Sequence, residues 1–271
     1  MIENAFKADL HVHSTYSDGT LTPKEIVELA ASCNLQGLSI TDHDATFAYE
    51  EAKDLAEEKN ILLVPGAEIS AKLGESSVHV LMYGSYCTLA KMQDFFTNLQ
   101  EKRKKRFCMM IDALCKEGIS LDREKLLSTI PKSPGRSHIA NELICLGIVP
   151  NAKACFQRYL KPGKPGFVKH FGKPLQETLD IIHQAGGKAF LAHPHVIRKK
   201  SMCQAILTFP FDGIECFYAN FKRTDCDSWI KIARDKGWLI SGGSDFHGNA
   251  KPGIHLGSSF IGRADFFKIF A

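Results

Sequence analysis

His11 and His13 flank a single valine in the run Ala8-Asp9-Leu10-His11-Val12-His13. In an extended strand, residues two apart share a face, so both imidazoles project the same way, as a chelating pair does. A half-buried strand with alternating histidines reads identically, so the rest of the chain must decide by supplying further ligands or failing to. It supplies Asp18 just past the pair, His43 in Thr41-Asp42-His43-Asp44, Glu68 after Gly66-Ala67, and His79 within Val78–Tyr83. It also supplies His193 in His193-Pro194-His195, and Asp245 and His247 in Ser244-Asp245-Phe246-His247. Six imidazoles and three carboxylates exceed the roughly four to six ligands of one ion and suit two or three divalent ions with a bridging carboxylate. Zinc, iron and manganese all accept such donors. Any one of these residues is ordinary as a surface or hydrogen-bonded group; their recurrence after successive strands points to a metal centre.

The elements that must carry them alternate. Lys7 to Val12 reads as a strand ending in the polar loop Ser14 to Gly19. Thr22-Pro23-Lys24-Glu25 supplies an N-cap, a proline at the first helical position and a glutamate three residues after the cap, a strong helix start. Gly37 to Thr41 is a strand, Phe47 to Lys59 a helix, Ile61 to Pro65 a strand followed by Gly66-Ala67-Glu68, and Val78 to Tyr83 a strand. Thr88 to Glu117 is a long helical stretch containing Glu101-Lys102-Arg103-Lys104-Lys105-Arg106, followed by short helical pieces punctuated by Pro and Gly through about Gly166. Alternation resumes with a helix over Pro174 to Ala185, a strand over Lys188 to Ala192, and a short helix over Ser201 to Leu207. A strand at Gly213 to Phe217 containing Glu215, a helix at Asp225 to Lys236 and a strand at Leu239 to Gly243 complete the pattern. Alternating strands and helices imply an α/β fold with a largely parallel sheet, and polar residues gathered after the strands imply barrel-like closure with a site at that end. The expected organisation is a barrel domain from residues 1–87 and 169–271, with a basic helical insertion at 88–168 that covers or flanks the site as a substrate-binding lid.

At 271 residues, 44% hydrophobic and 24% charged, the chain suits a single soluble barrel with an insertion. The net charge of +4 conceals an asymmetry: Lys91 to Lys173 holds 17 Lys/Arg against 7 Asp/Glu, a net +10, leaving −6 elsewhere. This favours an anionic partner for the insertion, a phosphate or a nucleic acid, over a merely solvated basic helix. Nine cysteines, odd in number and with no CxxC pair, fit reduced thiols and argue against a Cys-based zinc site or a disulfide framework. With no basic-then-apolar leader and no apolar run of membrane-spanning length, the expected location is the cytosol, with no membrane partner and no obligate protein partner.

His11-Val12-His13 with Asp18, Thr41-Asp42-His43-Asp44, Gly66-Ala67-Glu68-Ile69, His79, Ala192-His193-Pro194 and Ser244-Asp245-Phe246-His247 resemble, in order and over nearly the whole chain, the motifs of the polymerase and histidinol phosphatase (PHP) superfamily of metal-dependent phosphoesterases. The resemblance implies a distorted (β/α)7 barrel with a trinuclear centre. It would assign His11, His13, Glu68 and Asp245 to one ion, Glu68, His79 and His193 to a second, and Asp18, His43 and His247 to a third. Every motif position carries a ligand-competent residue, which disfavours a metal-free domain.

Gly135-Arg136-Ser137-His138-Ile139-Ala140 and the stretch Tyr159 to Val168 resemble segments of the stand-alone members that act on nucleotides, the nucleoside 3′,5′-bisphosphate phosphatases and 5′→3′ exoribonucleases; Ser137 departs from the usual proline there. The resemblance implies that Arg136, His138 and Lys164 meet the substrate phosphate. Closely spaced divalent ions that lower the pKa of a bridging water are expected to supply a hydroxide nucleophile, with His138 or His195 as the expected proton donor to the leaving group. Asp9, Asp42 and Asp44 are expected to orient imidazoles, with salt-bridge or capping roles as the alternative. A small-molecule phosphatase of histidinol phosphatase type is the alternative enzyme. A nucleic-acid-binding module using Lys102 to Arg106, with structural metals, is the alternative outside enzymes.

Overall fold

The computed structural model describes residues 6–219 and 221–270. Ala8–Val12 (β1) is buried at every position, as a strand covered on both faces must be. Helix α1, Pro23–Ser32, begins as its sequence dictates: Thr22 Oγ1 accepts from the Glu25 N–H and the Glu25 carboxylate accepts from the Thr22 N–H. Gly37–Ile40 (β2), Phe47–Glu58 (α2), Leu62–Leu63 (β3), Gly66–Leu73 (β4) and Ser76–Tyr83 (β5) follow. Next come Tyr86–Lys91 (α3), Gln93–Lys116 (α4), Arg123–Thr129 (α5), Arg136–Cys145 (α6) and Ala152–Cys155 (α7), then a π-helical turn over Phe156–Leu160 and the two-residue strand Lys173–Pro174 (β6). Leu175–Ala185 (α8), Lys188–Leu191 (β7), Lys200–Ile206 (α9), Gly213–Tyr218 (β8), Arg223–Lys236 (α10), Leu239–Gly243 (β9) and Arg263–Phe270 (α11) complete the chain.

The strands form two ladders, β1-β2-β3 and β6-β4-β5-β7-β8-β9. Two seams join them. The Asp245 N–H donates to the His11 carbonyl at 2.7 Å and the His13 N–H to the Phe246 carbonyl at 2.9 Å, tying the end of β9 to β1. Glu68 N–H donates to Thr41 O at 3.1 Å and Asp44 N–H to Glu68 O at 3.0 Å, tying the end of β2 to β4. Apart from the two-residue β3 and β6, the strands thus run as a distorted ring of seven, with the seams made by the segments that carry the ligand-competent side chains. The first seam needs a glycine: a Cβ at Gly243 would lie 2.4 Å from the His11 nitrogen.

The ring departs from parallel alternation at one strand. β5 is antiparallel to both β4 and β7, because Gly74, at φ 58°, and Glu75 turn β4 straight back on itself. Glu68 therefore stands inside an eight-residue strand and not in a loop following one, as the run Ile61 to Pro65 had suggested. The helix expected from Thr88 to Glu117 is also divided: α3 ends at Met92, which is buried and caps one helix while opening the next.

Packing explains how the helical segment is attached. Phe96 and Leu99 of α4 belong to the barrel's apolar cluster with Met82, Leu179 and Leu191. Phe107, Met110, Ile111 and Leu114 of the same helix pack with Ile139, Leu143 and Leu160 in a separate cluster. One 24-residue helix thus belongs to both cores. Among the described residues, no helix is long and apolar enough to cross a membrane.

Candidate metal centre and active site

The nine sequence candidates converge. His11 leaves β1 and His13 the turn just after it, Asp18 comes from the following loop, His43 from the end of β2, Glu68 and His79 from the β4–β5 hairpin, His193 from the end of β7, and Asp245 and His247 from the end of β9. Glu68 is the hub. Its Oε2 lies 3.0 Å from His43 Nδ1, 3.2 Å from His13 Nε2 and 3.3 Å from His11 Nε2, while its Oε1 lies 2.7 Å from both His79 Nδ1 and His193 Nε2. Asp245 Oδ1 faces His13 Nε2 at 3.2 Å, His247 Nδ1 at 3.4 Å and His11 Nε2 at 3.5 Å. Asp18 Oδ1 faces His247 Nε2 at 3.3 Å and His43 Nε2 at 3.8 Å.

Four compact donor groups result, each with ligand atoms within 4.8 Å of one another: His13, Asp18, His43 and His247; His11, His13 and Asp245; His11, Glu68 and His193; and His43, Glu68 and His79. Relative to the sets implied by the family resemblance, His79 and His193 fall into different groups, although both touch the same Glu68 oxygen.

Whether this donor set suits metal ions is tested by its unsatisfied atoms. His11 Nε2, His13 Nε2, Asp18 Oδ1, His43 Nδ1, Glu68 Oε2 and His193 Nδ1 are buried without a hydrogen-bond partner. Buried polar atoms are normally paired, and leaving them so costs about 1–3 kcal/mol each. Five of the six aim into the shared space around Glu68, Asp245 and Asp18, as ligands of a cation would. The electrostatics agree. Burial opposes the charged form of Glu68, yet His43, His79 and His11 outweigh it and hold the carboxyl well below its usual range. Asp18 is held low against the same burial by His247 and His43, and Asp245 by Lys251 and His11.

A second layer fixes these side chains. Glu215 Oε1 lies 2.8 Å from His11 Nδ1, and its Oε2 accepts the His193 N–H at 2.6 Å. It is fully buried, and sequence reasoning passed over its role, as it did those of Tyr218, Lys251, Arg103 and Arg106. The signal for Glu215 was an acidic residue between Ile214 and Cys216 in an otherwise apolar strand. Asp9, Asp42 and Asp44 do not orient imidazoles through their carboxylates. Asp9 accepts from Ser244 Oγ and the Gly257 N–H, Asp42 from the hydroxyls of Ser14 and Ser17, and Asp44 pairs with Arg103 and accepts the Ser70 N–H. They staple loops together, the capping and salt-bridge alternative. Asp245 is oriented by Tyr218 Oη and Lys251 Nζ, both on Oδ2 at 2.7 and 2.6 Å, leaving Oδ1 toward the histidines. His193, Asp245 and Asp44 all have positive φ, at 25°, 57° and 50°. Such backbone costs about 1–3 kcal/mol per residue and persists where surrounding contacts over-determine it.

A cavity of about 570 Å³ opens beside Asp18, His43 and His79. Its cationic wall comprises Arg103, Arg106, Arg136 and Lys169, and Phe156 and Phe167 supply apolar surface. The run Lys102 to Arg106 is split by helical geometry: Arg103 and Arg106, three apart, turn inward, while Lys104 and Lys105 are exposed. Arg106 donates to Val168 O at 2.9 Å and Arg103 to Ser70 Oγ at 2.8 Å. Burial, then repulsion by Arg136 and Arg103, brings Arg106 down to about 10, and Arg136 is lowered by burial and Arg103. Crowded like charges of this kind favour an anion among them. Ser137 Oγ donates to Asp18 Oδ2 at 3.0 Å, linking α6 to the carboxylate cluster.

Of the three expected phosphate contacts, Arg136 lines this cavity; His138 and Lys164 do not. His138 Nδ1 accepts the Gly135 N–H at 3.0 Å, which draws the ring into the start of α6, and burial lowers its pKa. Lys164 is exposed on the turn between Pro162 and Phe167, which both line the cavity. His195, the other expected proton donor, does not line the cavity either; its ring centroid is 6.3 Å from that of His193.

Comparison with known proteins accords with this geometry. The chain is 32% identical over 256 residues to a 3′,5′-nucleoside bisphosphate phosphatase of Chromobacterium violaceum, covering 92% of this chain and 90% of that one. It is 31% identical over 258 residues to a 5′–3′ exoribonuclease of Escherichia coli, covering 92% and 87%. A solved structure of an amidohydrolase from Chromobacterium violaceum, holding sulfate and no metal, superposes with a TM-score of 0.86 at 29% identity, over 97% of this chain and 95% of the other. The PHP domain family matches residues 9–187, and the chain belongs to that family.

Proposed function

We propose that the chain is a metal-dependent phosphoesterase that hydrolyses nucleotide phosphates: 3′,5′-bisphosphonucleotides or the 5′ ends of short phosphorylated RNA. One juxtaposition carries this reading, the unsatisfied imidazole and carboxylate atoms around Glu68 beside a cavity walled by three arginines. The similarity to a bisphosphate phosphatase and to an exoribonuclease supports it.

In this reading His11, His13, Asp18, His43, Glu68, His79, His193, Asp245 and His247 hold two or three divalent ions, of manganese, zinc or iron. Bound there, such ions supply a nucleophile at neutral pH and Lewis-acid compensation of phosphoryl charge. The chain's own residues do the remainder. Arg136 and Arg106 neutralise phosphate oxygens as charge builds on the leaving group, and Phe156 and Phe167 shield the nucleoside from water. Glu215 holds His11 and the His193 backbone in place, and Tyr218 and Lys251 aim Asp245. His138 acts through Gly135 by fixing the start of α6 and so the direction of Arg136. Lys164, at the mouth, draws in the anion. Residues 88–168 form the substrate-binding lid, hinged on α4. The eight described cysteines are unpaired, which suits the reducing cytosol.

The test is release of inorganic phosphate from a 3′,5′-bisphosphonucleotide, or of mononucleotides from short 5′-phosphorylated RNA, by manganese-loaded protein. Inertness toward both while metal is bound contradicts the proposal.

A further inference from the structure

We infer a second recognition surface beside the site and outside the arginine-walled cavity, where the loops after β7 and β8 carry the continuing strand of a single-stranded oligoribonucleotide. The inference rests on the phosphoesterase reading and narrows it, because a mononucleotide has nothing to place there.

Three rings form the surface. The His195 centroid lies 4.4 Å from that of Tyr218 and 4.6 Å from that of Phe221, and Tyr218 and Phe221 are 5.4 Å apart. His195 is exposed and the other two are half-buried, so the group presents ring surface to solvent. The position is tied to the site: Tyr218 Oη donates to Asp245 Oδ2 at 2.7 Å, and the Tyr218 ring lies 6.4 Å from that of His193. None of the three lines the cavity. Arg198, Lys199 and Lys200 begin three residues past His195 and are all exposed.

Rings beside a run of cations are what a single strand requires: a sequence-tolerant stacking surface and charge that follows the phosphates. The two flanks divide the work. With a 5′-terminal nucleotide in the cavity and its phosphodiester at the Glu68 cluster, the remaining chain leaves over His195 and Phe221 toward Arg198, Lys199 and Lys200. The basic insertion, although its net charge is strongly positive, serves only the terminal nucleotide.

The test measures binding of a fluorescent, hydrolysis-resistant 5′-phosphorylated phosphorothioate hexaribonucleotide to the metal-loaded protein, alongside kcat/KM for a 3′,5′-bisphosphonucleotide. Phe221→Ala and the triple variant Arg198→Ala, Lys199→Ala, Lys200→Ala should each weaken hexanucleotide binding about tenfold, with Phe221→Trp restoring it. The triple variant should also lower the salt slope of log Kd by about 2. Both variants should leave bisphosphonucleotide turnover within about twofold of wild type. Unchanged hexanucleotide affinity in both variants, or no binding by the wild type, overturns the inference; so do equal losses on the two ligands. If the metal-loaded wild type releases neither phosphate from the bisphosphonucleotide nor mononucleotides from the unmodified 5′-phosphorylated hexaribonucleotide, the phosphoesterase reading falls, and the affinities still decide the fate of this surface.

Discussion

Glu68 and Glu215 illustrate two kinds of buried acid. Glu68 meets five imidazoles and keeps one oxygen without a hydrogen-bond partner; Glu215 has both oxygens bonded, one to His11 and one to a backbone N–H. Removing them should therefore differ. Glu68→Gln should strip metal and lower kcat/KM by at least about 100-fold, whereas Glu215→Gln should cost about 10–100-fold with metal partly retained, as elemental analysis and kinetics would read. His170 gives a pH signature outside the ligand set. Burial, then the nearby Arg103 charge, lowers it to about 3. Between about 3 and 6.5 the unfolded chain then binds more protons at this position than the native one, so its contribution to stability is present above pH 6.5 and is lost as pH falls toward 3. Urea unfolding of His170→Gln should show a shallower acid-side loss of stability than the wild type, and identical profiles would contradict this. At this scale the nine ligand candidates were legible because each is a polar, ligand-competent residue within or just past an apolar strand, although Glu68, His11 and His79 lie inside their strands and not at the strand ends. Glu215 was not, because one acid within a strand carries no spacing signal, and Arg103 and Arg106 were hidden inside a run whose helical phase only packing resolves.

At the scale of elements, the α1 capping box and the limits of β9 follow directly from local sequence, because caps, prolines and glycines act over three or four residues. The β4–β5 hairpin was legible only in part. Its turn rests on Gly74-Glu75, a weak signal beside Asn-Gly or Asp-Gly, and its pairing is decided by neighbours distant in sequence. The division of the helical stretch at Met92 was likewise invisible, since nothing in the residue type breaks a helix there. Helix α4 belongs to both cores, so damage to the distal cluster should reach the cavity. Leu143→Ala, in the cluster with Phe107 and Leu114, should cost about 2–5 kcal/mol of unfolding free energy. It should also raise KM for the nucleotide more than it lowers kcat, while metal content stays at the wild-type value.

For the whole molecule, the charge asymmetry of the sequence becomes a geometric one: the carboxylate-rich ring collects cations, and the basic segment beside it turns three guanidinium groups toward them. Arg136→Ala should therefore reduce kcat/KM by about 10–100-fold without loss of metal, because it removes a charge-assisted contact and leaves the ligands intact. A module that merely bound nucleic acid through Lys102 to Arg106 would not respond in this way. The central claim is that the nine converging side chains form one multinuclear centre for phosphoester hydrolysis. Its most direct test is the metal stoichiometry of the wild type and Glu68→Gln, measured on the samples in which phosphate release from a 3′,5′-bisphosphonucleotide is followed. We expect two or three ions per wild-type chain with activity rising in step with occupancy, and loss of metal together with activity in the variant. Full activity after chelation, or a variant that loses neither metal nor activity, would contradict the account.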